Sequence, residues 1–195
     1  MNFSAWFKSR TADRVLAPAR EMIVDLVDDD SDVLEIGCGT GDLLFRAAKK
    51  IHRGVGVDLN RSMIDFANNR KVHDHCDNLE FINDDINSLT ELAARRFTLA
   101  TSTLCLHEMP EDDAVATLEL LDNIAGRIII ADYAEPDSLW ARVTIELDEF
   151  ISGHYGQFTR YRRKGWLPYL ASRAGLGVRA TMPTPIDGIR IWELA

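Results

Sequence analysis

The feature that most constrains this chain is the run Val33-Leu34-Glu35-Ile36-Gly37-Cys38-Gly39-Thr40-Gly41-Asp42-Leu43-Leu44. An apolar stretch of strand character meets three glycines at alternate positions, and an apolar helical stretch follows. Glycine takes backbone conformations closed to other residues, and a helix start offers free N–H groups to a ligand. The run therefore predicts a ligand-binding turn between a strand and a helix. Short Val- and Ile-rich runs at 33–36, 54–57, 79–82, 97–101 and 128–131 alternate with helical stretches. That rhythm predicts a mostly parallel sheet with helices on both faces.

Upstream, Val15, Leu16, Ala19, Met22, Ile23, Leu26 and Val27 recur at three- and four-residue spacing, the stripe of an amphipathic helix. Asp28, Asp29 and Asp30 mark a solvated loop after it. Downstream, 137–152 reads as a long helix and 165–174 as a shorter one closed by Gly175 and Gly177. Extended segments at 178–182 and 189–192 flank Asp187-Gly188, a hairpin-type turn, so the sheet ends with an antiparallel strand. A chain of 195 residues, 46% hydrophobic and 27% charged, suits a single domain. The expectation is one α/β domain: a doubly wound, mostly parallel seven-stranded sheet with a C-terminal antiparallel hairpin strand.

The loop spacing selects the ligand. A dinucleotide turn wants G-x-G-x-x-G or A, with a small third residue near the pyrophosphate. That position is Asp42 here, a carboxylate that would face the pyrophosphate, so the loop favours an adenosine ligand without one. Asp58 closes the second strand seventeen residues after Gly41, where an acid accepts both ribose hydroxyls. Asn60 and Ser62 are available to cap the next helix in its place.

On these residues the chain resembles the class I S-adenosylmethionine-dependent methyltransferases, with a Rossmann-like fold, over nearly its whole length. The Glu35-to-Asp42 loop is similar to the family's first motif, which implies that Gly37, Gly39 and Gly41 cradle the methionine portion of the cofactor. Asp58 looks like the ribose-binding acid, with Leu59 and Met63 beside the adenine. The stretch Leu79 to Ile86 resembles the third motif, which implies that Asp85 accepts the adenine amino group and the Ile86 amide meets the ring. Phe97 to Pro110 is similar to the fourth motif of small-molecule members, notably the ubiquinone and menaquinone C-methylase-like group, and Ser102 within it is assigned to the cofactor site. By the same resemblance, residues 1–30, including Trp6 and Phe7, form a helical lid segment over a core at 31–195.

The fourth motif lacks the Asp or Asn followed by two prolines and an aromatic that nucleic-acid amino methylases use, and no proline precedes Cys105. A formal net charge of -9 also repels phosphate backbones. A small-molecule acceptor is expected, with neither nucleic acid nor membrane as partner and the chain acting as a monomer or homodimer. The reaction is in-line displacement on the sulfonium methyl, in which the protein supplies alignment and water exclusion. Where the acceptor needs a general base, His107 after the fourth strand and His154 are the candidates, although packing beside the cofactor or capping accounts equally well for His107. Phe158, Tyr161, Trp166 and Tyr169 could wall an acceptor pocket or belong to the core. Arg160, Arg162, Arg163 and Lys164 read as a solvated loop face, or as a grip for an acceptor carboxylate or phosphate. His73 to Asp77 holds metal-ligand residue types without a second half elsewhere, so no metal is expected. Three scattered cysteines, no signal-peptide core and no bilayer-length apolar run point to the cytoplasm. The competing readings are an NAD-dependent oxidoreductase, a non-catalytic S-adenosylmethionine-binding protein, and an RNA or protein methyltransferase.

Overall fold

Runs of Val, Ile and Leu without polar alternation are stable as strands only when both sheet faces are covered. Each of the five apolar runs becomes such a strand: β1 (Asp32–Ile36), β2 (Arg53–Val57), β3 (Leu79–Ile82), β4 (Phe97–Thr103) and β5 (Ala125–Tyr133). The computed structural model describes residues 12–88, 92, 94–153 and 155–195. Among them, one seven-stranded sheet runs β3-β2-β1-β4-β5-β7-β6, with β6 (Val178–Pro183) and β7 (Ile189–Leu194) completing it. β1 to β5 pair in parallel, whereas β7 is antiparallel to both β5 and β6. The expected fold class, including its terminal hairpin, is the one observed.

Helices α1 (Ala12–Leu26), α2 (Asp42–Ala47), α3 (Arg61–Asp74), α4 (Glu111–Ile124), α5 (Leu139–Ser152), α6 (Tyr155–Lys164) and α7 (Trp166–Arg173) surround the sheet. Successive strand residues point to opposite faces, so neighbours in sequence feed different cores. Val33, Leu99, Ile129 and Ile191 pack with Ile23, Leu43, Leu44 and Ile64 on one side. Leu34, Ala100, Ile128 and Ile130 pack with Leu118, Leu121, Leu167 and Leu170 on the other. Each buried Val, Leu or Ile side chain among them contributes roughly 1.5–3 kcal/mol.

Two local differences from the sequence reading concern the last third. Residues 155–164 form helix α6 rather than a loop, because Phe158 and Tyr161, three apart, both turn into the core. The basic cluster therefore occupies the exposed side and last turn of a helix. The turn at Asp187 also does more than reverse the chain. Its carboxylate accepts the Asp137 and Ser138 N–H groups at 2.7 and 3.0 Å, fixing the entry to α5, whose Ser138 cap accepts from Ala141 N–H at 3.1 Å. No helix among the described residues is long and apolar enough to cross a membrane.

The strand order reverses between β1 and β4. In doubly wound sheets the crevice at that reversal, outside the carboxyl ends of the strands, is where ligands bind.

Candidate functional site

The glycine turn leaves β1 at this reversal. Gly37, Gly39 and Gly41 have φ of 64°, 54° and 74°, left-handed values that glycine adopts without cost. Cys38 N–H donates to Val57 O at 3.1 Å, locking the turn to the end of β2. A Cβ on Gly37 would stand 2.3 Å from Cys105 Sγ, so a side chain there would collide with the loop after β4. Around Gly39 the space is open, with nothing within 4 Å of a Cβ position.

Asp58 binds that open glycine directly. Its Oδ2 accepts the Gly39 N–H at 2.7 Å, and its Oδ1 accepts the Asn60 N–H at 2.7 Å. Capping of α3 falls instead to Asn60, whose side chain accepts from Ser62 N–H at 3.1 Å. Asn83, to which the sequence reading gave no role, donates its amide N–H groups to the carbonyls of Asp58 and Leu59, both at 2.9 Å. It ties the end of β3 to the end of β2, and its only signal in sequence is an amide at a strand's carboxyl end.

The other expected cofactor residues occupy the same edge of the sheet. Leu59 is 72% exposed, whereas Met63 is buried on α3. Asp85 is exposed and accepts the Asn87 N–H at 2.9 Å, and Ile86 is buried at the start of a single 3-10 turn, Ile86–Ser88. Ser102 is buried near the end of β4. Among these residues Gly39 and Asp58 are in direct hydrogen-bond contact.

Asp42 corrects one step of the sequence argument. Its carboxylate is buried under arginines: Arg46 Nε at 2.7 Å, Arg20 at 3.2 Å and Arg70 at 3.5 Å. It is neutralised from behind the turn, so it sets no charge against a phosphate and does not by itself discriminate between adenosine ligands. Arg20 also binds Asp13 at 2.6 Å, and Asp13 accepts from Thr40 Oγ1 at 2.7 Å. Helix α1 is thereby fastened to the glycine turn. Trp6 and Phe7, expected in a lid, lie outside the described residues. Beneath this network Glu35 is buried; loss of water pushes its carboxyl up to about 8, with Arg20 opposing and the nearby Asp42, Asp13 and Asp58 adding to the rise.

His107 lies in the 3-10 turn Leu106–Glu108 after β4 and is 2% exposed. Its Nδ1 is 2.5 Å from Asp132 Oδ1, and its Nε2 is 3.3 Å from Glu149 Oε1; both carboxylates are buried. Burial alone would lower its pKa, but Asp132 and then Glu149 outweigh that and push it up to about 10. At neutral pH the ring is an imidazolium held between two buried carboxylates, which disfavours the expected general-base role. The Tyr133 ring lies tilted against it, with centroids 4.6 Å apart. His154 lies outside the described residues.

A shallow cavity opens beside His107, lined among others by Leu106, Met109, Arg160, Tyr161 and Tyr169. Phe158 is fully inside the core, so of the expected aromatic wall Tyr161 and Tyr169 reach the cavity. Within the basic cluster, Arg162 pairs with Glu146 and Lys164 with Glu111. Burial pushes the Cys38 and Cys105 thiols up, away from thiolate chemistry. Among the described residues, no group of three or more His, Cys, Asp or Glu could hold a metal.

The architecture is that of class I S-adenosylmethionine-dependent methyltransferases. A sequence profile described as a methyltransferase domain matches residues 27–164, and the chain belongs to that family. Among solved structures, the mitomycin 7-O-methyltransferase superposes with a TM-score of 0.71 at 16% identity, over 97% of this chain and 60% of its own. An O-methyltransferase from neocarzinostatin biosynthesis, solved with S-adenosylmethionine and 2-hydroxy-5-methyl naphthoic acid, gives 0.71 at 20% identity, over 98% of this chain and 57% of its own. The chain thus spans about 60% of the length of these two enzymes. A SAM-dependent methyltransferase from Aquifex aeolicus gives 0.67 at 15% identity, over 100% of this chain and 98% of its own.

Proposed function

We propose that this methyltransferase transfers the methyl group of S-adenosylmethionine to a small-molecule acceptor by in-line displacement, releasing S-adenosylhomocysteine. The observation that carries the reading is the Gly39 N–H held at 2.7 Å by Asp58 beside an open glycine turn at the strand-order reversal. The residues present fit the cofactor. The space over Gly39 admits a ligand against the main chain, and each Asp58 oxygen keeps lone-pair capacity for a ribose hydroxyl after its backbone bond. Met63, Leu59, Asp85 and the Ile86 amide are assigned to the adenine, and Gly37, Gly41 and Ser102 to the amino-acid end.

When bound, S-adenosylmethionine supplies an electrophilic methyl carbon, and the chain's contribution is to align the acceptor and exclude water. We assign the acceptor to the cavity beside His107, where Tyr161 and Tyr169 offer aromatic surface and Arg160 a cation. The imidazolium of His107 fixes the loop after β4 against β5 and α5 and is thus a positioning residue in this scheme. The net charge of -9 supports an acceptor other than nucleic acid. The neocarzinostatin enzyme, with its hydroxynaphthoic ligand, makes phenolic aromatic acids the first acceptors to try. Three free cysteines suit a reducing, cytoplasmic setting.

Calorimetric titration with S-adenosylmethionine and S-adenosylhomocysteine, followed by an acceptor panel read by S-adenosylhomocysteine release, tests the reading. Micromolar binding with acceptor-dependent release supports it. Binding without turnover on any acceptor would favour a non-catalytic binding protein, and no binding would remove the cofactor assignment.

A further inference from the structure

Helix α5 presents two apolar faces, and the described residues cover only one of them. Its inner face packs Ile145 against the main core and places Glu149 on His107. On the opposite side Leu139, Trp140, Val143, Leu147, Phe150 and Ile151 are each 54% to 82% exposed. A helix on a protein surface ordinarily turns one apolar stripe inward and a polar face to water. At 1.5 Å rise per residue, this outer stripe runs for about 18 Å. Scattered exposed aliphatic residues need no explanation, but a contiguous patch of this size marks an interaction surface.

The sequence of the stripe says what fits it. Its positions are symmetric about residue 145: in an antiparallel pairing of two copies with a two-fold axis at that level, Leu139 and Trp140 of one lie level with Ile151 and Phe150 of the other, and Val143 with Leu147. A two-fold interface is self-complementary by construction, and this spacing supplies large against large at both ends and smaller residues in the middle. The six side chains together offer on the order of 800 Å², the share one partner contributes to a standard interface. Arg142, Glu146 and Asp148 border the stripe with both signs of charge, as the rim of such a contact requires. A bilayer suits the face poorly, because Arg142 is the only Lys or Arg on α5 and the chain is acidic.

We propose that a second copy of this chain covers the outer face of α5, making the protein a two-fold dimer through an antiparallel α5 pair. The surface is independent of the cofactor site, so the proposal stands or falls apart from the methyl-transfer reading. It also places α5, and with it Glu149, under the constraint of the partner.

The test is sedimentation velocity of the full chain from low to high micromolar concentration, with Leu147→Glu and Trp140→Glu as variants. Both residues are exposed, so the folded monomer should survive, as circular dichroism and S-adenosylhomocysteine binding will report. The expected result is a dimer that each substitution converts to monomer. A full chain that is monomeric at every concentration, or a dimer that both substitutions leave intact, would overturn the proposal. A monomer that dimerises only after removal of residues 1–11 would assign the face to that segment and overturn it equally. Orientation is read by oxidative cross-linking in a Cys76→Ser background. A mixture of Val143→Cys and Leu147→Cys chains should cross-link, and Leu139→Cys alone should not; the reverse pattern would exclude the antiparallel pair.

Discussion

Gly39 donates its N–H to Asp58 Oδ2 at 2.7 Å, so a single carboxylate shapes the glycine turn and faces the position assigned to the ribose. A hydrogen bond to a charged group contributes about 1.5–3 kcal/mol. Asp58→Ala is therefore expected to weaken S-adenosylhomocysteine binding tenfold or more by calorimetry, with the protein still folded. Unchanged affinity in that variant would detach Asp58 from the cofactor.

Gly37 tests the turn itself. At φ 64°, with a Cβ position 2.3 Å from Cys105 Sγ, Gly37→Ala incurs both backbone strain and a collision. The left-handed conformation alone costs roughly 1–2 kcal/mol in an L-residue. A loss of several degrees in melting temperature is expected. Adding Cys105→Gly should relieve the collision and leave the strain, so the double variant should melt between wild type and Gly37→Ala.

The sheet and its glycine turn were legible because short Val- and Ile-rich runs and alternating glycines are local signals. The position of Asp58 beside the glycine turn was legible for the same reason, since the acid closes a strand. The fate of Asp42 was not. Its three arginines come from α1, α2 and α3, and position in sequence gives no sign that Arg20, Arg46 and Arg70 converge on one carboxylate. The environment of His107 was hidden likewise, because Asp132 and Glu149 reach it from 25 and 42 residues away. Helix α6 was missed because it is too polar to show a stripe, having only Phe158 and Tyr161 buried.

Glu35 predicts a pH dependence of stability. Its folded pKa, about 8, lies above the ordinary 4.5, so the folded state binds the extra proton between these values. Its stabilising contribution is complete below pH 4.5 and declines as pH rises through 8, with a slope of up to about 1.4 kcal/mol per pH unit. Glu35→Gln keeps the shape without the proton. Urea denaturation should show a flatter profile for the variant between pH 4.5 and 6.5, where His107 does not yet contribute. An unaltered slope there would mean that Glu35 is ionised in the folded protein.

His107 acts in a higher window. Its folded pKa of about 10 exceeds the ordinary 6.5, so the stability it confers is fully present below pH 6.5 and is lost as pH rises through 10. Above that point Asp132 and Glu149 face a neutral ring across distances of 2.5 and 3.3 Å and lose the attraction of its positive charge. His107→Gln creates the same situation at neutral pH, and removing one partner of a buried pair costs about 3–5 kcal/mol. The variant should therefore be markedly less stable than wild type at pH 7, and the difference should shrink towards pH 10. If His107 were instead a free base with an ordinary pKa, the stability difference would already be constant above pH 7.5, and the variant would lose turnover at saturating acceptor while keeping its melting temperature.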